Sequence, residues 1–159
     1  IILSNFPEVT EYVAVDLSPD QIENARNYVM GSDKRGVLKF IVSDIQSLEM
    51  KLKYDLVIAP EVLLHILPSE IKEVLVKMVG WSRRNVVNID WYEDVTPRKA
   101  APHNFIHKYE KIYHDIPGVV EVIRTPIVKK GLLSGIDTKQ SIFHVVIIIY
   151  FTVFINLDC

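Results

Sequence analysis

The stretch EYVAVDLSPDQIENAR, Glu11 to Arg26, decides how the chain reads. A short apolar run, Tyr12 to Leu17, carries a single acid, Asp16, at its end. Ser18-Pro19 follows at once: a serine at the N-cap, proline at the first helical position, and Gln21 three residues after the cap. Ile22, Ala25 and Val29 then fall on one face, which predicts a helix to about Met30 that stops at Gly31. A lone carboxylate is thereby placed where a buried strand ends and a helix begins.

Outward from this stretch, strand-like runs and amphipathic segments alternate. Val37 to Val42 is a second strand, ending at Ser43-Asp44, and Tyr54 to Ala59 is a third. Pro68-Ser69-Glu70 opens a helix with Ile71, Val74, Leu75 and Met78 on its buried face, ending at Gly80. Asn85 to Ile89 is a fourth strand. Glu93 to His103 reads as a loop and Phe105 to His114 as a short helix. Val119 to Thr125 and Ser141 to about Tyr150 read as two strands of an antiparallel hairpin. Strands without polar alternation, separated by helices, predict an α/β fold: one mostly parallel sheet with helices on both faces, in a single domain spanning residues 1–159.

The composition fits that reading. The chain has 159 residues, 49% hydrophobic and 24% charged, in the range of folded globular domains. A formal net charge of −2 argues against nucleic acid as a partner. The basic pairs Arg83-Arg84 and Lys129-Lys130 are too short to change this. The single cysteine, Cys159, allows no disulfide within the chain, which fits a reducing, cytoplasmic setting. The first residue is Ile rather than Met, and no basic-then-apolar signal segment follows it. The apolar run Ile142 to Leu157 is rich in β-branched and aromatic residues and short for a spanning helix, so it is expected to be a buried strand rather than a membrane anchor. Phe151 to Cys159 is expected to extend beyond that strand.

In open α/β sheets ligands sit at the carboxyl ends of the strands. The residues just past the apolar runs are Asp16-Leu17, Asp44-Ile45, Ala59-Pro60-Glu61 and Asp90-Trp91. A carboxylate at a strand tip can accept both hydroxyls of a ribose, and a second, one strand over, can accept from an adenine amino group while aliphatic neighbours sandwich the base. Together they describe an adenosine site. The plainer alternative is that Asp16 only helps cap a helix and Asp44 only sits in a turn.

VAVDLSPDQIENAR, FIVSDIQSL and YDLVIAPEVLLHI resemble, in order, motifs of class I S-adenosylmethionine-dependent methyltransferases, most of all the small-molecule group called type 11 or UbiE-like. The resemblance covers roughly Tyr12 to Tyr92 and implies a Rossmann-like fold. It also implies S-adenosylmethionine as cofactor, with Asp16 on the ribose, Leu17 and Ile45 flanking the adenine, Asp44 on its amino group, and Ala59 beside the methionine. The family's Gly-rich loop has no counterpart in Ile1 to Val9, which holds no glycine. The chain is therefore expected to lack the family's first strand and loop, a strand whose place is between those ending at Asp16 and Ala59. Weak or absent activity and self-association through the incomplete sheet are expected in consequence.

The resemblance implies methyl transfer to a small-molecule acceptor that the residues do not identify. Glu61 and His65 are the candidates for accepting a proton, the alternative for His65 being a packed histidine. His103 and His107 have the spacing of a metal pair if one helix covers both, but no third ligand is apparent, and no metal is expected. Trp91 and Tyr92 could wall a pocket or simply pack. No GxSxG, P-loop or CxxC pair occurs, which removes support for hydrolase, phosphate-loop and dithiol readings. A nicotinamide enzyme would use Asp16 but would leave Asp44 and YDLVIAPEVLLHI unexplained. A fragment or subunit with the shape of a methyltransferase and no cofactor is the stronger rival.

Overall fold

A computed structural model describes residues 5–30, 35–91, 102–127 and 140–148. Ser18 caps the first helix as its sequence requires. Its backbone is extended (φ −87°, ψ 117°) and its hydroxyl accepts from the Gln21 N–H at 3.3 Å. Pro19 then opens α1, Pro19–Val29, which buries Ile22. Before it lies β1, Tyr12–Asp16, and after it a 3-10 turn, Arg35–Val37, leads into β2, Leu38–Val42. β1 and β2 pair in parallel, with Asp16 opposite Val42. The Arg26 guanidinium sits 5.5 Å over the Phe40 ring and fastens the end of α1 to β2. Replacing Ser18 with Ala is expected to cost about 1 kcal/mol, measurable as a lower urea midpoint with lost helical signal.

The chain divides into two compact units, Ile1–Glu49 and Met50–Cys159. The second contains β3 (Tyr54–Pro60), α2 (Ile71–Trp81), β4 (Ser82–Trp91), α3 (Tyr109–His114), β5 (Val119–Pro126) and β6 (Gln140–Ile147). Its sheet order is β3-β4-β6-β5. β3 and β4 are parallel, whereas β6 is antiparallel to both β4 and β5. The last strand thus enters the sheet between two others. Among the described residues β1 pairs only with β2, and β3 only with β4.

Alternation along the strands decides which face is core. In β4, Val86, Asn88 and Asp90 are fully buried, and opposite them in β6 stand Val145, Phe143 and Ser141. α2 lays Ile71, Val74, Leu75, Met78 and Val79 inward, the spacing of one helical face. Burying each such side chain contributes about 1.5–3 kcal/mol. α3 packs on β5 and β6 and touches α2, so the two helices share one side of the sheet. On the opposite side of β3 Leu56 and Ile58 stay 47% and 40% exposed.

Several boundaries move. α3 begins at Tyr109 rather than Phe105; before it the Phe105 N–H donates to the Leu64 carbonyl and the His107 ring faces the Leu63 carbonyl. Gly80 lies inside α2, where a Cβ would meet nothing within 4 Å. β4 starts three residues earlier than its apolar run, since Ser82, Arg83 and Arg84 continue the backbone as strand. Gly31, Tyr92, the Glu93–Ala101 part of the expected loop, and the tail from Tyr150 to Cys159 lie outside the described residues. No helix among the described residues is long and apolar enough to cross a membrane.

Candidate functional site

Parallel pairing puts the ends of β1 and β2 side by side, and two acids stand there. Asp16 is the last residue of β1 and exposed. Its Oδ1 accepts from the Ser18 N–H at 2.8 Å, which turns the chain from strand to helix. Asp44 follows β2 by two residues, and its carboxylate takes both the N–H and the hydroxyl of Ser47, each at 2.6 Å. The Ser47 hydroxyl, then its N–H, hold Asp44 below the ordinary carboxylate range, so it is a firmly ionised acceptor. Leu17 beside Asp16 is 71% exposed, while Ile45 is half-buried.

The local roles foreseen for these two acids as the plainer alternative are therefore filled. A carboxylate offers about four acceptor positions, of which the Ser18 contact uses one on Asp16, while Asp44 is met by the Ser47 hydroxyl and N–H and also by the N–H groups of Asp44 and Gln46. The end of this parallel pair thus presents two carboxyl side chains and an exposed leucine, a set suited to hydroxyl and amino donors around a flat apolar ring.

In the second unit β3 and β4 end together, with Pro60 opposite Ile89. Ala59 falls inside β3 rather than after it and is 4% exposed, so its side chain packs inward beside Asn88. Glu61 turns the chain with φ 54°, a left-handed conformation that costs a non-glycine residue about 1 kcal/mol or more. Its N–H donates to the Ile89 carbonyl at 2.8 Å, and its carboxylate accepts from the Gln140 side chain. His65 ends the 3-10 turn Leu63–His65 and is exposed, with its ring 5.6 Å from that of His103. The packed-histidine alternative fits His107 instead. That ring is buried, its Nε2 lies 3.1 Å from the Leu63 carbonyl, and burial holds its pKa down. His103 and His107 both precede α3, so no helix brings them onto one face. Trp91 ends β4 half-buried.

Beneath this tip runs a buried polar chain that the apolar pattern of β4 conceals. Tyr113 Oη donates to Asn88 Oδ1 at 3.0 Å, Asn88 Nδ2 donates to Asp90 Oδ2 at 3.0 Å, and Leu64 N–H donates to Asp90 Oδ1 at 3.2 Å. Desolvation pushes the Asp90 carboxyl up to about 7 despite these donors. Burial, and then the charge of Asp90, raise both the Tyr109 and Tyr113 phenols, and Tyr109 Oη is buried without a hydrogen-bond partner among the described residues. Asp90 was visible beforehand as a strand-end acid. Asn88, two residues earlier on the same face, was the available signal for the rest.

A sequence profile described as a methyltransferase domain matches residues 1–87, more than half of the chain. A search of curated proteins returned no match. Solved structures share the fold. An O-methyltransferase family protein from Burkholderia thailandensis is 16% identical with a TM-score of 0.72, over 92% of this chain and 46% of that one. Magnesium protoporphyrin IX methyltransferase from Synechocystis PCC 6803, with bound S-adenosylmethionine, is 20% identical with a TM-score of 0.60, over 86% of this chain and 59% of that one. The N-methyltransferase NodS from Bradyrhizobium japonicum WM9 is 15% identical with a TM-score of 0.64, over 87% and 74%. The chain thus spans about half to three quarters of these relatives' length. On the profile match, the chain belongs to the class I S-adenosylmethionine-dependent methyltransferases.

Proposed function

We propose that the chain carries the adenosine-binding strand ends of a methyltransferase acting on a small-molecule acceptor. One observation carries the reading: Asp16 and Asp44 stand at the same end of adjacent parallel strands, and the Ser18 contact uses one acceptor position of Asp16. Asp16 binds the two ribose hydroxyls, Asp44 accepts from the adenine amino group, and Leu17 and Ile45 flank the base. S-adenosylmethionine, when bound, supplies a methyl group already activated on a sulfonium. The family resemblance assigns the neighbourhood of the methionine to Ala59, whose buried side chain leaves only its backbone for the task. Glu61 and His65, both exposed, are the groups able to accept a proton from the acceptor.

Residues 1–30 contain no glycine, the residue that most readily lets a backbone approach a ligand closely. The 159-residue chain is therefore expected to bind cofactor weakly and to show no methyl transfer by itself, because positioning is most of this catalysis. Joining a first strand and Gly-rich loop from a relative, as a fusion or a separate peptide, should restore binding. Calorimetry with S-adenosylhomocysteine tests both halves. Heat of binding with the fusion and little with the chain alone is the expected result. No binding in either would favour the non-catalytic alternative, and micromolar affinity of the unmodified chain would refute the need for the loop.

A further inference from the structure

The turn Glu61–Ile66 is held by more buried contacts than a surface connection needs. Both backbone polar groups of Leu64 are engaged, its N–H by Asp90 at 3.2 Å and its carbonyl by the Phe105 N–H at 2.7 Å. The Leu63 carbonyl faces His107 Nε2, and since a carbonyl only accepts, that nitrogen carries the proton in this contact. Leu63 and Leu64 are buried while Glu61 and His65 are exposed. The turn is anchored from the inside and presents its two ionisable side chains outward.

Among these anchors Asp90 is the unusual one. It is wholly buried, and so are Asn88 and Tyr113, which brace it. A carboxyl group in such a place is costly unless its oxygens are used. Here each oxygen has one donor: Leu64 on the turn, and Asn88 on the same strand. We propose that Asp90 is a positioning residue: through the Leu64 N–H its carboxylate sets the turn that presents Glu61 and His65, and Tyr113 and Asn88 set the carboxylate. The functional meaning of this clamp rests on the reading of Glu61 and His65 as proton acceptors. The ionisable groups that act on Asp90 are Glu61 from the turn and the phenols of Tyr109 and Tyr113 from α3, and its β6 neighbour is the neutral Ser141.

Nuclear magnetic resonance on the isotopically labelled 159-residue chain tests it. In the unaltered chain the Leu64 amide proton should move with the Asp90 carboxyl carbon on a single titration midpoint. Asp90→Asn should keep Leu64 protected from hydrogen exchange, since the amide oxygen still accepts, while that titration disappears. Asp90→Ala should speed Leu64 exchange at least about tenfold beyond any change at β6 amides and move the His65 ring resonances. The proposal is overturned if the Leu64 amide ignores the Asp90 titration, or if Leu64 loosens only in step with β6. Should Asp90→Ala not fold, the unaltered chain and Asp90→Asn decide alone. None of these signals requires cofactor, so failure to bind S-adenosylhomocysteine and failure of the clamp are separate results.

Discussion

Raising the pH from about 5 to about 8 should destabilise the four-stranded unit by about 3 kcal/mol through Asp90. The folded carboxyl titrates at about 7, against 3.8 for the free group, so the folded state binds the proton more tightly. The stability this confers is complete below about 4 and disappears as the pH rises through 7. Each pH unit in that window is worth about 1.4 kcal/mol. His107 acts in the opposite sense, since burial lowers its pKa and its contribution is lost as the pH falls. The measurement is therefore a difference: urea unfolding of the unaltered chain and of Asp90→Asn across the range. The variant's stability relative to the parent should rise by about 3 kcal/mol between pH 5 and pH 8. Parallel curves would show that Asp90 does not carry the burden of a buried charge.

Replacing Asp16 with Ala should weaken cofactor binding roughly ten- to hundredfold for each ribose hydroxyl that loses its acceptor. The effect is to be measured in the fusion that carries a Gly-rich loop, where binding is strong enough to titrate. Asp16 also accepts from Ser18, so a control must separate binding from folding. Asp16→Asn keeps an oxygen for that turn and should keep the helical signal, while still losing much of the affinity because its amide is a poorer acceptor than a carboxylate. A dissociation constant unchanged in both variants would remove the ribose role and leave Asp16 as a turn residue only.

The Asp16–Arg26 stretch was legible because its signals are local. A cap, a proline and an i, i+3, i+7 face lie within a dozen residues of each other, and the structure shows the cap and the proline in place, with Ile22 buried and Ala25 and Val29 half-buried. The same holds for α2, whose five inward residues repeat at helical spacing. The strand-end acids were legible for a related reason: an apolar run followed by an acid marks where a buried strand surfaces. His65 was harder. Val62-Leu63-Leu64-His65-Ile66 reads as a stretch to be buried, yet a single 3-10 turn sends the two leucines inward and the histidine out. The start of α3 lies at Tyr109 instead of Phe105, and the residues before it dock on a turn some forty residues earlier, a contact that no local pattern announces.

By itself the sequence determined the α/β class, the alternation of strands and helices, the family, and the two acids at neighbouring strand ends. These follow from hydrophobic period and short-range capping, which need no knowledge of what folds against what. Only the tertiary structure decided that β6 enters between β4 and β5, that Ala59 points inward, that His103 and His107 part company, and that Asp90 is held between Tyr113-braced Asn88 and Leu64. Each of these depends on partners distant in the chain. A buried carboxylate and a solvated one are the same letter in a sequence, and only the packing around them sets their charge and their use.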